Sequence, residues 1–172
     1  MVATYRLGTF VAPTLPPCGV HMSDRQALLK VVKAAYAAFA SRHPQRLLQL
    51  CDVSCRWQAP GLPEIMPWAG EHHGHPGVLG FVEVLDRHLE FLAFEAESLV
   101  VDAEQGQVVA FGVARCRVKS TGCLYVNHWA HLFTLRKGLI RAFREYPDTA
   151  AQLIAIHPGL QGATSPEENL HD

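Results

Sequence analysis

Asn127, His131 and Glu145 interrupt an otherwise alternating apolar pattern in NHWAHLFTLRKGLIRAFREYPDT, residues 127–149. Side chains on a strand alternate between two faces, so Asn127, Trp129, His131 and Phe133 share one face and His128 lies on the other. A turn at Arg136-Lys137-Gly138 sets His131 opposite Phe143 and Trp129 opposite Glu145. Arg141, Phe143 and Glu145 then join the face of His131. Imidazole titrates near neutral pH, so His131 can give or take a proton. Glu145 can fix the imidazole tautomer, or titrate itself with a pKa raised by burial. A plainer reading stays open: Glu145 pairs with Arg141 or Arg144 at a solvated sheet edge, and His131 is a satisfied core residue.

Other reactive groups carry less. EHHGH brings Glu71, His72, His73 and His75 together, and imidazole suits zinc, copper and nickel. The cluster sits in a loop without a second spaced ligand pair, so no metal site is expected, and no cofactor either. Five scattered cysteines, Cys18, Cys51, Cys55, Cys116 and Cys123, show no zinc-ribbon or thioredoxin-like spacing. Free thiols in a reducing cytoplasm account for them. The formal net charge of −1 gives no reason to expect nucleic acid or an anionic membrane as partner. No stretch approaches the ~20 apolar residues that span a bilayer.

The elements that position these groups follow from periodicity. Ser23 and Gln26 have capping-box spacing and open a helix whose stripe is Leu28, Val32, Ala35, Tyr36 and Phe39. His43-Pro44 ends it, and Pro44 starts a short second helix. VSCRWQAPG reads as a strand stopped by Pro60-Gly61; residues 60–75 read as a loop; Pro76 starts a third helix with the stripe Val78, Phe81, Val82, Leu85 and Leu89. The period then changes to two, giving strands near 92–101, 107–119, 123–135 and 139–146. Short glycine-containing turns make them antiparallel neighbours. Asp148 can cap a last helix from Thr149 to about Ile156. The whole is an α+β domain of residues 23–156, a strongly curved antiparallel sheet with helices on its concave face, shaped as a cone with an apolar interior. Residues 1–22 read as a loosely ordered extension without a secretory signal, and residues 157–172 as a flexible tail.

Three stretches, AAYAAFASRHPQRLLQLC, RWQAPGLPEIMPWAGEHHGHPGVLGFVEVL and the F-x-x-x-x-G-x-I-x-x-F-R-E-Y-x-D-T pattern of the hairpin, resemble the nuclear transport factor 2-like superfamily, on its SnoaL-like and ketosteroid-isomerase-like side. The resemblance implies a nuclear transport factor 2-like (cystatin-like) cone, a small-molecule pocket and a homodimer paired through the sheet. It leaves function open, since the superfamily holds isomerases, cyclases, epoxide hydrolases, dehydratases and non-catalytic binders. In ketosteroid isomerases, a worked case for tuned carboxyl groups, a tyrosine and a protonated aspartate form the oxyanion hole and a second aspartate moves the proton. The resemblance puts Tyr36 on the tyrosine, His131 on the strand aspartate, and Gln58 or Ala59 on the base. Neither Gln58 nor Ala59 can take a proton at neutral pH, so steroid isomerisation by that route is disfavoured.

The implied site is Tyr36, His131 and Glu145 in an apolar cone, with Trp57, Gln58, Trp68, Asn127, Trp129, Phe133 and Phe143 as ligand-binding neighbours. Tyr36 would donate a hydrogen bond to a carbonyl or enolate oxygen. The reading is a cytoplasmic binder of an apolar small molecule, of isomerase or cyclase type if it catalyses proton transfer. The alternatives are a ligand-binding module without a reaction, and a dimerisation module whose hollow is filled by its own side chains. A hollow below a few hundred Å³ would favour the last.

Overall fold

The structure, a computed structural model, describes residues 22–162. Apart from Met22, the expected extension lies outside the described residues, as do residues 163–172 of the expected tail. The elements are α1 (Met22–Ala40), α2 (Pro44–Leu48), β1 (Cys51–Ala59), β2 (Gly70–His73), α3 (Gly74–His88), β3 (Leu89–Asp102), β4 (Gln107–Val118), β5 (Leu124–Arg136), β6 (Leu139–Pro147) and α4 (Thr149–Ile156). A 3-10 turn, Pro158–Gly162, follows. Helix α1 already runs at Met22, so Ser23 lies inside it rather than ahead of it.

One six-stranded sheet has the order β2-β1-β6-β5-β4-β3. From β3 to β6 it is the antiparallel meander that the short turns require. The sheet as a whole is mixed, because β1 lies parallel to β6. No hairpin joins those two strands; α3 and four other strands separate them in sequence, so turn length could not fix their direction. Residues 70–73, expected as loop, form an edge strand antiparallel to β1, with Trp57 opposite His72 and Ala59 opposite Gly70. GEHH has no apolar alternation, which is why periodicity missed it.

The β5–β6 register differs from expectation by two residues. Lys137 and Gly138 both have positive φ, 53° and 76°, the backbone of a two-residue hairpin turn. Arg136 therefore pairs with Leu139, and a bulge follows, because Leu135 faces Ile140 while Thr134 faces Ala142. The unpaired residue is Arg141. Beyond it, His131 stands opposite Glu145, Phe133 opposite Phe143 and Trp129 opposite Pro147. The bulge keeps Phe143 and Glu145 on the inner face and turns Arg141 outward, where its guanidinium meets Asp52 at 2.8 Å. Arg141 thus leaves the face it was expected to share with His131.

Strand β3 carries two bulges, at Leu92 and Glu97. Each extra residue shifts the alternation by one, so Phe91, Phe94 and Ala96 all face inward opposite Cys116, Ala114 and Gly112. Helix α1 lies over this inner face, burying Val32, Ala35 and Ala38. Tyr36 of that stripe reaches Phe94, Trp129 and Phe133 with ring centroids 5.6–5.9 Å apart. Helix α3 closes the β1 side through Val78, Phe81 and Leu85. Helix α4 covers the far end, its first turn capped by Asp148, whose carboxylate accepts from the Ala151 N–H at 3.0 Å.

Candidate functional site

The helices and the inner face of the sheet enclose a hollow lined by apolar side chains and a few polar ones. Tyr36, His131, Glu145, Asn127, Trp57, Trp68, Phe133 and Phe143 all line it. Two residues expected at the site do not. Gln58 lies on the other face of β1, between Glu71 and Arg144 on the flanking strands. Trp129 sits below the lining, stacked on His131 at 4.0 Å and on Phe94 at 5.0 Å. Gly112 makes room for it: a Cβ there would lie 2.3 Å from the Trp129 ring.

The polar groups form a connected set. The Tyr36 hydroxyl and the His131 Nδ1 are 3.1 Å apart. The other ring nitrogen, Nε2, lies 4.0 Å from Oε1 of Glu145. Asn127 is oriented from behind: its Oδ1 accepts the Asp148 backbone N–H at 2.9 Å. That leaves its NH₂ group to face the Glu145 carboxylate, whose charged form it favours as a donor. Arg144, on the outer face, stacks over Tyr146. Among the described residues, no lysine or arginine forms an ion pair with Glu145. The pairing of Glu145 with Arg141 or Arg144 at a solvated edge is therefore not what the structure adopts.

Burial without a cation sets the electrostatics. It pushes the Glu145 carboxyl up to about 7, against a smaller opposing effect of the Asn127 hydrogen bond. It pushes the His131 imidazole down to about 3. Burial also raises the Tyr36 phenol, with the charge of Glu145 adding to it. At 4.0 Å an ion pair between His131 and Glu145 would shift both groups the other way. Desolvation outweighs it, because each charge alone would sit buried among mostly apolar side chains. At neutral pH the ring is uncharged and the carboxyl is poised between its two forms.

Sequence alternation missed several lining residues. Phe91 and Phe94 are hidden by the bulge at Leu92. Tyr125 and Gln152 close the far end. Gln152 is 3 % exposed, and among the described residues its Oε1 has no hydrogen-bond partner and Nε1 of Trp57 has none either. Both belong to residues that line the hollow. A polar residue following the Asp148 cap was the one available signal for Gln152.

The three histidines of EHHGH go to separate partners. His72 Nε2 meets the Trp68 carbonyl at 3.0 Å, His75 Nε2 meets the Cys51 carbonyl at 3.0 Å, and His73 lies 3.6 Å from Glu71. Among the described residues no three His, Cys, Asp or Glu side chains converge as metal ligands. Among the described residues, Cys51, Cys55, Cys116 and Cys123 form no disulfide with one another. No described helix is long and apolar enough to cross a membrane.

The hollow leaves about 70 Å³ for the centres of water molecules. That is under half of the ~150 Å³ that admits benzene and well below the ~300 Å³ at which drug-sized sites begin.

Residues 32–143 match the SnoaL-like domain family. Among solved structures, the chain is similar to a nuclear transport factor 2-like protein from Burkholderia xenovorans. The two are 28% identical with a TM-score of 0.70, over 77% of this chain and 98% of that one. A proposed isomerase from Rhodopseudomonas palustris is 17% identical with a TM-score of 0.64, over 77% and 96% of the two chains. A proposed polyketide cyclase from Xanthomonas campestris is 16% identical with a TM-score of 0.65, over 77% and 98%. At those identities the last two speak for the fold alone. No curated protein matches the chain.

Proposed function

The chain belongs to the SnoaL-like domain family, and from that membership and the chemistry of the hollow we propose that it binds a small apolar carbonyl compound and moves a proton on the carbon beside the carbonyl. Glu145 is the base. A carboxyl buried without a cation and held near neutrality accepts a proton from carbon and returns it elsewhere on the same molecule, which is an isomerase- or cyclase-type step. That single feature, a buried carboxylate aimed into an apolar hollow, carries the reading. Tyr36 and His131 serve the oxygen. When the imidazole proton is on Nδ1, it donates to the Tyr36 oxygen and frees the phenol O–H for a carbonyl becoming an enolate. Asn127 positions Glu145, and the unpaired Trp57 N–H and Gln152 carbonyl are candidate partners for further polar atoms of the ligand.

The base is thus assigned to β6 rather than to β1. Ala59 is buried but has no acceptor, and Gln58 lies on the other face, which supports setting ketosteroid isomerisation by its familiar route aside. The small volume of the hollow favours a second reading, a dimerisation module whose hollow is filled by its own side chains. Exposed Val100, Phe111 and Val126 on the outer face of the sheet support a homodimer paired through that face. The free thiols suit a reducing cytoplasm.

The test is incubation with acetophenone in D₂O, followed by mass spectrometry of the recovered ketone. Deuterium entering the methyl group faster than in buffer, and lost in Glu145→Gln, supports the enzyme. Binding without exchange supports a ligand-binding module without a reaction, and no binding supports the second reading.

A further inference from the structure

On the side where α1 ends and α3 meets β3, a second and larger space opens, about 430 Å³ for water centres. Phe39, Val82, Leu85, Phe91 and Phe94 line both spaces. They form a partition one side chain thick. Its three rings lean on one another, with centroids 5.3 Å apart for Phe39 and Phe91, 5.5 Å for Phe39 and Phe94, and 6.2 Å for Phe91 and Phe94.

The backbone is adapted to this arrangement. The bulge in β3 lies at Leu92, between Phe91 and Phe94. Without it, two residues three apart would point to opposite faces; with it, both rings join the partition. Leu92 itself, 48% exposed, lines the outer groove. The rim is charged but nearly balanced: Arg42 and Asp86 face each other at 3.3 Å, and Glu83 leaves a slight negative excess.

We propose that the groove is the second half of the ligand site and holds a neutral alkyl or alkenyl tail, while the carbonyl head passes the Phe39–Phe91–Phe94 partition to reach Tyr36 and Glu145. The proposal rests on the reading of the hollow given above and narrows its substrate class to an elongated ketone. Three observations carry it. The inner hollow, with about 70 Å³ for water centres, is too small to hold an elongated ligand by itself. The groove lies directly against it across shared walls. Apolar residues form the groove floor, and acidic side chains on the rim disfavour a carboxylate at the end of the tail.

The experiment is titration of the full chain with acetophenone, butyrophenone, hexanophenone and octanophenone, followed by tryptophan fluorescence. Affinity tightens about fourfold per added methylene, the gain from burying each one. Leu92→Asp reduces that increment to less than twofold, and Leu92→Ser does so partially. Leu92 is half exposed, so both variants keep the wild-type near-ultraviolet circular dichroism. Acetophenone binding without any increment would overturn the groove and leave the hollow standing. An increment unchanged in both Leu92 variants would overturn it as well. So would an octanophenone affinity that weakens as the protein is concentrated, which would give the groove to a second copy of the chain. Failure of every ketone to bind would remove the hollow and the groove together.

Discussion

Replacing Glu145 by glutamine should stabilise the protein, by an amount that grows as pH rises from 4.5 through 7. The carboxyl has an ordinary value of 4.5 and is raised to about 7 in the fold. Between those two pH values the folded state binds more protons than the unfolded state, so stability falls as pH rises through that window. Above pH 7 the loss is complete. A shift of that size corresponds to about 3 kcal/mol, since each pKa unit is worth ~1.4 kcal/mol. Glutamine has nearly the same shape and no charge to bury, so Glu145→Gln recovers that loss. The expected gain is about 3 kcal/mol at pH 8 and under about 1 kcal/mol at pH 5. Urea unfolding of both proteins at half-unit steps from pH 5 to pH 8 measures it, each free energy taken by linear extrapolation. A gain independent of pH, or a loss at pH 8, would refute the reasoning, because it would mean that the carboxylate is solvated or paired.

The opposite sign holds for His131, whose pKa falls from 6.5 to about 3. Its contribution is present above pH 6.5 and is lost as pH falls toward 3, so His131→Phe should flatten the acid limb of the wild-type stability profile. Tyr36→Phe removes the partner of Nδ1 at 3.1 Å, which should cost about 1–3 kcal/mol in urea unfolding and slow any deuterium exchange into a bound ketone. Gly112→Ala should cost about 1–3 kcal/mol and alter the near-ultraviolet spectrum, because the added methyl meets the Trp129 ring and the Glu95 carbonyl. Gln152→Met removes a buried oxygen without a partner; it should raise the unfolding free energy by about 1 kcal/mol while weakening binding of hydroxylated ketones in the fluorescence titration.

The inward face of β5 was legible because alternation there is unbroken: Asn127, Trp129, His131 and Phe133 are all buried. The helix stripe that places Tyr36 was equally plain, since Val32, Ala35 and Tyr36 follow helical spacing. What escaped was set by single extra residues. The bulge at Arg141 and the tight Lys137-Gly138 turn together moved the pairing of His131 from Phe143 to Glu145. The bulge at Leu92 put Phe91 and Phe94 on one face, against the alternation expected of a strand. A bulge costs one residue and leaves composition unchanged, so periodicity averaged over a strand cannot locate it. The parallel pairing of β1 with β6 escaped for a different reason, since it joins segments far apart in the chain. Trp129 was rightly expected to be inward, but stacking under His131 took it out of the lining.

The charge state of Glu145 is accessible directly. Carbon-13 labelling of the glutamate carboxyl groups, with Glu145→Gln to identify the resonance, follows its titration in the wild-type chain by nuclear magnetic resonance. The account predicts a midpoint near 7, as burial in the hollow requires. A midpoint at or below the ordinary 4.5 would contradict it, for such a carboxylate would be hydrated or ion-paired and no base at neutral pH.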